Sequence, residues 1–320
     1  METRSFPYPL EIFPFDESFS QQDVNLLPLK ESEVITNIMP MPENQEEWDN
    51  MHIMFATSKG NIRRNDLSDF KKIQANGKIA IRMDEDDTLV NVATCSEEDH
   101  ILLASKKGKA LRFQANAVRV FRSRTSDGVR GMKLASGDKV ISMTILHGIK
   151  ASMEERESYL TIPVEKRLEI GKDMEEFTPE ELGVSLSKEQ IIDLAKGEEF
   201  ILTIAENGFG KRSSAYHYRI TNRGGSGIVN MVLSDKTGEV VSSMPANTND
   251  EIMLITNNGK LIRCRLDAVR ITGRSTSGVI LFKTEKGEKV VSASLIADSS
   301  EEEGESEDGE ESVGGDDANI

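Results

Sequence analysis

Apolar residues fall in short runs, each closed by a polar turn with glycine, and the arrangement recurs. Ile53-Met-Phe-Ala runs into Thr-Ser-Lys-Gly60, and Ile101-Leu-Leu-Ala into Ser-Lys-Lys-Gly108. Phe200-Ile-Leu-Thr-Ile-Ala runs into Glu-Asn-Gly208, and Ile252-Met-Leu-Ile into Thr-Asn-Asn-Gly259. A segment carrying arginine follows each glycine. Runs this short, bounded by turn residues, predict strands. Lys-Gly or Asn-Gly at the turn supplies the positive φ of a tight hairpin. The second half of each unit repeats too. Another glycine follows at Gly77, Gly128, Gly227 and Gly278, with an arginine four residues earlier in three units (Arg124, Arg223, Arg274). Then come an apolar strand, a Gly/Asp/Glu turn and a Val-rich strand, as in the runs from Met132 to Ser142 and from Phe282 to Ser292.

The hairpin glycines Gly60 and Gly108 are 48 residues apart, and Gly208 and Gly259 are 51 apart. Gly108 and Gly208 are 100 apart, so an insertion about one repeat long interrupts the series. A period near fifty with four strands per unit predicts an all-β, propeller-like wheel of four-stranded blades. A plain β-sandwich would not repeat two glycine positions and an arginine four times. The units are 51–99, 100–148, 200–250 and 251–297. Residues 25–50 read as a partial blade, because Asn25 to Thr36 matches only the closing half of a unit. Residues 1–24 fit no repeat. A lone half-blade would leave a strand edge to be covered.

The insertion, 149–199, has helical texture. Thr178-Pro179-Glu180-Glu181 offers an N-cap, Pro at the first helical position and Glu at the third. Ser187-Lys-Glu-Gln190 is a second capping box, leading into Ile191, Ile192 and Leu194. Residues 298–320 are acidic, of low complexity and without aromatics, which predicts a disordered tail.

Net charge is −16, yet its distribution matters more. Residues 51–148 carry 17 basic and 11 acidic side chains, and residues 200–297 carry 13 and 8. Residues 1–50, 149–199 and 298–320 are net acidic, by 9, 7 and 11 charges. Partners respond to the local field, because charges beyond a Debye length of ~8 Å are largely screened. The two basic blocks are the two pairs of units. Arg63, Arg64, Lys107, Lys109, Arg112, Lys211, Arg212, Lys260, Arg263 and Arg265 lie at or just past the first turn. Repetition places them at equivalent points of successive blades, where a basic stripe would neutralise phosphates without reading sequence. Arg124, Arg223 and Arg274 have two readings: phosphate contact, or bracing of a loop through its carbonyls.

Catalytic chemistry finds little support. His52, His100, His147 and His217 show no metal-ligand spacing. The cluster Asp84 to Asp87 reads as a solvated turn. No Gly-x-x-x-x-Gly-Lys-Ser/Thr run occurs, so no cofactor is expected on this chain, and any ATP would be handled elsewhere. Cys95 and Cys264 read as two small buried hydrophobes, which fits a reducing, cytoplasmic setting. No apolar run approaches the ~18 residues needed to span a membrane.

The strand–Lys/Asn-Gly–strand–Arg pattern with Arg-x-x-x-Gly downstream resembles the C-terminal β-pinwheel found in type IIA topoisomerases. The runs Met54 to Arg64, Val129 to Leu134 and Arg223 to Ile228 are similar to the gyrase version. The resemblance covers about Asn25 to Ile296. It implies a non-catalytic module that bends duplex DNA around a basic rim, assists ATP-dependent negative supercoiling and is chromosome-associated. It also implies partners, a breakage–reunion domain and the gyrase B protein in a heterotetramer, which would hold the ATP and Mg. The corresponding domain of topoisomerase IV is the alternative within the family; a propeller scaffold for protein partners, or a gene remnant, is the alternative outside it. Two departures stand out. The Gln-Arg-Arg-Gly-Gly-Lys-Gly box of the family's first blade is absent, and Asn222-Arg-Gly-Gly-Ser-Gly227 lacks its Lys. None of Tyr8, Tyr159, Tyr216 and Tyr218 follows an arginine, as the cutting tyrosine of the family would.

Overall fold

The computed structural model describes residues 2–5, 36, 37, 39, 41–72, 78–122, 126–172 and 176–296. Strand β1 (Glu2–Ser5) comes first. The first unit holds β2 (His52–Thr57), β3 (Asn61–Asp66), β4 (Lys78–Arg82) and β5 (Leu89–Cys95). The second holds β6 (His100–Ser105), β7 (Lys109–Gln114), β8 (Val129–Arg130) and β9 (Val140–Leu146). Helices α1 (Met153–Leu160), α2 (Val164–Gly171), α3 (Pro179–Leu182) and α4 (Lys188–Lys196) form the insertion. The third unit holds β10 (Phe200–Ala205), β11 (Phe209–Ser214), β12 (Ile228–Val229) and β13 (Val240–Pro245). The fourth holds β14 (Glu251–Thr256), β15 (Leu261–Arg265), β16 (Val279–Ile280) and β17 (Val290–Ile296).

Units and sheets do not coincide. The sheets run β5-β2-β3-β8, β9-β6-β7-β12 and β13-β10-β11-β16. The fourth strand of each comes from the following unit. Ile62 pairs with Val129, Ala110 with Ile228, and Gly210 with Val279. Four strands per unit was the expectation, and the count holds, but each unit divides its strands between two sheets. Such sharing ties neighbours in series, so no unit completes its own sheet. The fourth unit's sheet, β15-β14-β17, has three strands among the described residues. Strand β4, the first unit's counterpart of β8, pairs with β1.

Burial explains the near-continuous apolar runs. β2, β6 and β10 are buried at every position, because both faces are covered, by a neighbouring blade on each side of β6 and β10 and by the second blade on one side of β2. β14 alternates, as a strand covered on one side does. One core, with Met54, Ile62, Ile101, Leu103, Phe113 and Met143, joins the first two blades. Others join the second to the third through Leu102, Ile201 and Tyr218, and the third to the fourth through Leu202, Ile252 and Leu254. The first blade's outer face is covered by Trp48 and the partly buried Met39, Met41 and Met51. Trp48 sits in a 3-10 turn, Glu47–Asn50. Residues 25–35, which carry most of the expected half-blade, and the acidic tail 298–320 lie outside the described residues.

Closing strands pack on one another in series, β5 against β9, β9 against β13 and β13 against β17. They therefore line the axis, and the donated strands β8, β12 and β16 form the rim. Both capping boxes read from the sequence are present, Thr178 with Glu181 and Ser187 with Gln190. A third, Ser152 with Glu155, starts α1. The insertion is anchored to the third unit by Tyr159, which packs edge-on against Tyr216 at 5.8 Å. Beneath it Arg167 pairs with Glu198. Cys95 is buried, its thiol pushed up to about 12 by desolvation; Cys264, on the fourth blade, is half-buried, with no further blade over it among the described residues.

Candidate nucleic-acid interface

The arginines that follow the first turn occupy one register position. Arg64 lies opposite Met54, Arg112 opposite Leu102, Arg212 opposite Leu202 and Arg263 opposite Met253. The expectation that they form an exposed rim stripe fails for the first three. Arg64, Arg112 and Arg212 are 4%, 2% and 3% exposed. The following unit lays its loop over the outer edge of their strand; the guanidinium groups of Arg112 and Arg212 hold that unit, while that of Arg64 lies 3.5 Å from the Glu97 carboxylate of its own unit. Arg112 donates to the Ala215 carbonyl at 2.8 Å and to Nδ1 of His100 at 2.8 Å. Arg212 donates to the Val269 carbonyl at 2.9 Å and the Thr248 hydroxyl at 3.0 Å. Burial lowers the Arg112 pKa to about 10 and that of His100 to about 4, which keeps the imidazole neutral and able to accept.

Arg63 and Lys211 share the preceding register position and are also fully buried. Arg63 donates to the Ser126 carbonyl, and Lys211 to the Gly273 carbonyl at 3.1 Å and to that of Arg274. Desolvation, reinforced by the neighbouring Arg274 charge, brings Lys211 down to about 7. A side chain in this state is a brace for a loop. The third unit's loop meets Leu111 at this position, and a cavity of about 170 Å³ lies there, lined by Leu111, Asn222, Gly225 and Ser226 among others.

Arg223 and Arg274 resolve toward bracing. Arg223 donates to the carbonyls of Ala117 and Arg130, both at 3.0 Å, and Arg274 to those of His217 at 3.2 Å and Val229 at 2.9 Å. Each ties its own loop to the 3-10 turn and the rim strand of the preceding unit. Arg124 lies outside the described residues. On the last blade, charges are exposed yet paired. Lys260 meets Glu285 at 2.7 Å, Arg263 meets Glu251, and Arg265 meets Asp267 at 2.9 Å. Lys107 and Lys109 are exposed as expected; the Lys107 ammonium donates to the Ser136 carbonyl at 2.6 Å.

The covering loops themselves carry cations that the strand-centred pattern passes over. Arg119, Arg219 and Arg270 fill one position in three successive units, directly before the residue that bridges to Arg64, Arg112 or Arg212. All three are exposed, and none has an acidic partner among the described residues. Arg130 and Lys133 lie beside them on the rim, exposed, where the Lys133 amide donates to the Gly225 carbonyl at 2.9 Å. The signal was present in the sequence as Val118-Arg, Tyr218-Arg and Val269-Arg, an arginine recurring one residue after a buried apolar side chain. The described tyrosines, Tyr159, Tyr216 and Tyr218, are buried, and their hydroxyls donate to Glu198, the Leu194 carbonyl and Asn230. Asp87, read as part of a solvated turn, is instead 3% exposed and accepts from the Ser58 hydroxyl and the Lys59 amide, closing the blade's two turns on each other.

A wheel of strand-sharing blades, closed along its axis and cationic along its rim loops, defines the β-propeller class of binding domains. Residues 52–96, 99–147, 199–247 and 250–297 each match the family described as DNA gyrase C-terminal domain, beta-propeller. The chain belongs to that family. The DNA gyrase A protein of Rickettsia bellii is 68% identical over 290 residues, 91% of this chain and 32% of that protein. The chain thus spans about a third of that relative's length. A solved DNA gyrase A C-terminal domain shares the fold, with TM-score 0.55 and 23% identity over 78% of this chain and 67% of that one. A solved C-terminal domain of DNA topoisomerase IV does so at TM-score 0.62 and 18% identity, over 85% of this chain and 69% of that one.

Proposed function

We propose that this chain is the DNA-wrapping module of a gyrase A protein, binding duplex DNA along its rim. The observation that carries the reading is the recurrent exposed arginine, Arg119, Arg219 and Arg270, set on loops that buried cations hold in fixed register. Equivalent positions on successive blades follow a curve, and a duplex meeting them in turn must bend. Bending a site of 20–30 base pairs by 40–90° costs about 1–6 kcal/mol, which several phosphate contacts offset. Recognition is through the backbone and therefore independent of sequence. The 68% identical relative favours gyrase over topoisomerase IV. Strand cutting, ATP, Mg and the gyrase B protein belong to other parts of the assembly, and the chain works beside the chromosome in the cytoplasm.

The test is binding of the purified chain to linear duplexes of increasing length at several salt concentrations. Affinity should grow with length until the rim is filled and fall steeply with salt. Absence of binding at low salt would overturn the proposal in favour of a protein-binding wheel.

A further inference from the structure

The three covering loops share a backbone but not a side chain. Val120, Ile220 and Ile271 each bridge to the strand beneath, at Arg64, Arg112 and Arg212. Extended chain turns alternate side chains to opposite faces, so the residues flanking each bridge point the same way. Each rim arginine therefore shares its face with the residue two further on: Arg119 with Phe121, Arg219 with Thr221, and Arg270 with Thr272. The two threonine hydroxyls turn back to carbonyls, Thr221 to that of Arg112 at 3.3 Å and Thr272 to that of Gly273 at 3.2 Å. The second unit has an aromatic ring in their place.

Phe121 is 6% exposed and meets two guanidinium groups. That of Arg63, on the strand beneath, is 5.3 Å from the ring centroid, and that of the exposed Arg119 is 4.4 Å from it. The backbone of Phe121 is fixed on both sides. Its amide donates to the Arg64 carbonyl at 2.8 Å, and its carbonyl accepts from the Asn65 side-chain amide at 2.5 Å. Asn65 is oriented in turn by Arg63, whose Nε donates to its Oδ1 at 2.8 Å. In the next two units the register position of Asn65 holds Phe113 and Ser213, which have no side-chain amide. The ring is thus a clamped platform under one of the three rim arginines.

A guanidinium held over a ring keeps its N–H edges for a phosphate. A long side chain free to rotate must be ordered when it meets its partner, and one already held has less freedom to lose. We propose that Phe121 is a positioning residue: it holds Arg119 ready for the duplex and makes the second unit's loop the strongest phosphate contact on the rim. This rests on duplex binding along the rim and adds an order to it, with Arg119 ahead of Arg219 and Arg270. The third unit offers the converse. Thr221 borders the cavity beside Leu111 and Arg219, which leaves space for a ring there.

The experiment measures duplex affinity at several salt concentrations for variants of the full chain, with thermal unfolding to show that each is folded. Phe121→Leu should weaken binding about threefold to tenfold and leave the salt slope unchanged, since no charge is lost. Arg119→Gln should lower that slope by about 0.9, and adding Phe121→Leu to it should weaken binding no further. Phe121→Tyr keeps the ring and should bind as the unmodified chain does. Thr221→Phe should tighten binding by a similar factor, and it tests the same mechanism if Phe121→Leu does not fold. Additive losses from Phe121→Leu and Arg119→Gln overturn the proposal, as does a folded Thr221→Phe that binds no better. Equal losses for Arg119→Gln, Arg219→Gln and Arg270→Gln overturn it too, and leave the rim contact standing. An unmodified chain that binds no duplex overturns the rim contact itself and this inference with it.

Discussion

Replacing Arg112 with methionine separates a brace from a DNA contact. The side chain is 2% exposed and donates two hydrogen bonds of 2.8 Å, to the Ala215 carbonyl of the next unit and to His100. Methionine keeps most of the aliphatic volume, so the loss is mainly polar. Each hydrogen bond from a charged donor contributes about 1.5–3 kcal/mol, and both acceptors are left buried and unpaired, so the variant should lose about 3–5 kcal/mol. The control is built into the repeat. Arg263 holds the same register on the last blade, but its side chain is 64% exposed and, among the described residues, pairs with Glu251. Arg263→Met should change stability by no more than about 0.5 kcal/mol. Urea unfolding followed by circular dichroism measures both. Equal losses in the two variants, or a loss below about 1 kcal/mol for Arg112→Met, would refute the bracing argument. A fall in DNA affinity without a fall in stability would return Arg112 to the interface.

Other expectations follow from the same geometry. Gly227 has φ +73° and its added methyl would lie 2.5 Å from the Ala110 carbonyl, whereas Gly259 has φ +78° and open space. Thermal unfolding should therefore show Gly227→Ala costing about 3 kcal/mol or more and Gly259→Ala about 1 kcal/mol. The folded state holds His100 neutral down to about pH 4, while the unfolded chain takes up the proton near 6.5. Stability from this group is therefore present above pH 6.5 and lost as pH falls toward 4, and His100→Gln should flatten the unfolding temperature across that window. Lys211 works on the alkaline side. Its folded pKa near 7 lies below the ordinary 10.5, so its cost is full below pH 7 and relieved as pH rises toward 10.5. Lys211→Met should remove that rise, read from urea midpoints across the same range.

The repeat, the hairpins and the helical insertion were legible because each is a local pattern: apolar runs of strand length, glycine at a fixed turn, Ser or Thr three residues before Glu or Gln. What was not legible is which unit completes which sheet. Gly128-Val129 and Gly227-Ile228 look like strands of their own unit, and only the three-dimensional register shows them closing the one before. That single fact reverses the reading of the hairpin arginines. Arg64, Arg112 and Arg212 stand on an outer edge, which a lone unit would expose, and the next unit's loop buries them. Charge alone could not separate them from Arg119, Arg219 and Arg270, since both sets recur with the same period. The distinguishing feature is Arg263, which no following unit covers among the described residues and which is exposed where its equivalents are buried.

The central claim is that DNA meets the covering loops and not the strands beneath them. The direct measurement is the salt dependence of duplex affinity for a variant with Arg119, Arg130, Arg219 and Arg270 all changed to glutamine. Each lost phosphate contact lowers the slope of log K against log salt by about 0.9, so the variant should lose about 3–4 units of slope while its unfolding temperature stays unchanged. An unchanged slope in a folded variant would contradict the account and place the duplex elsewhere on the wheel.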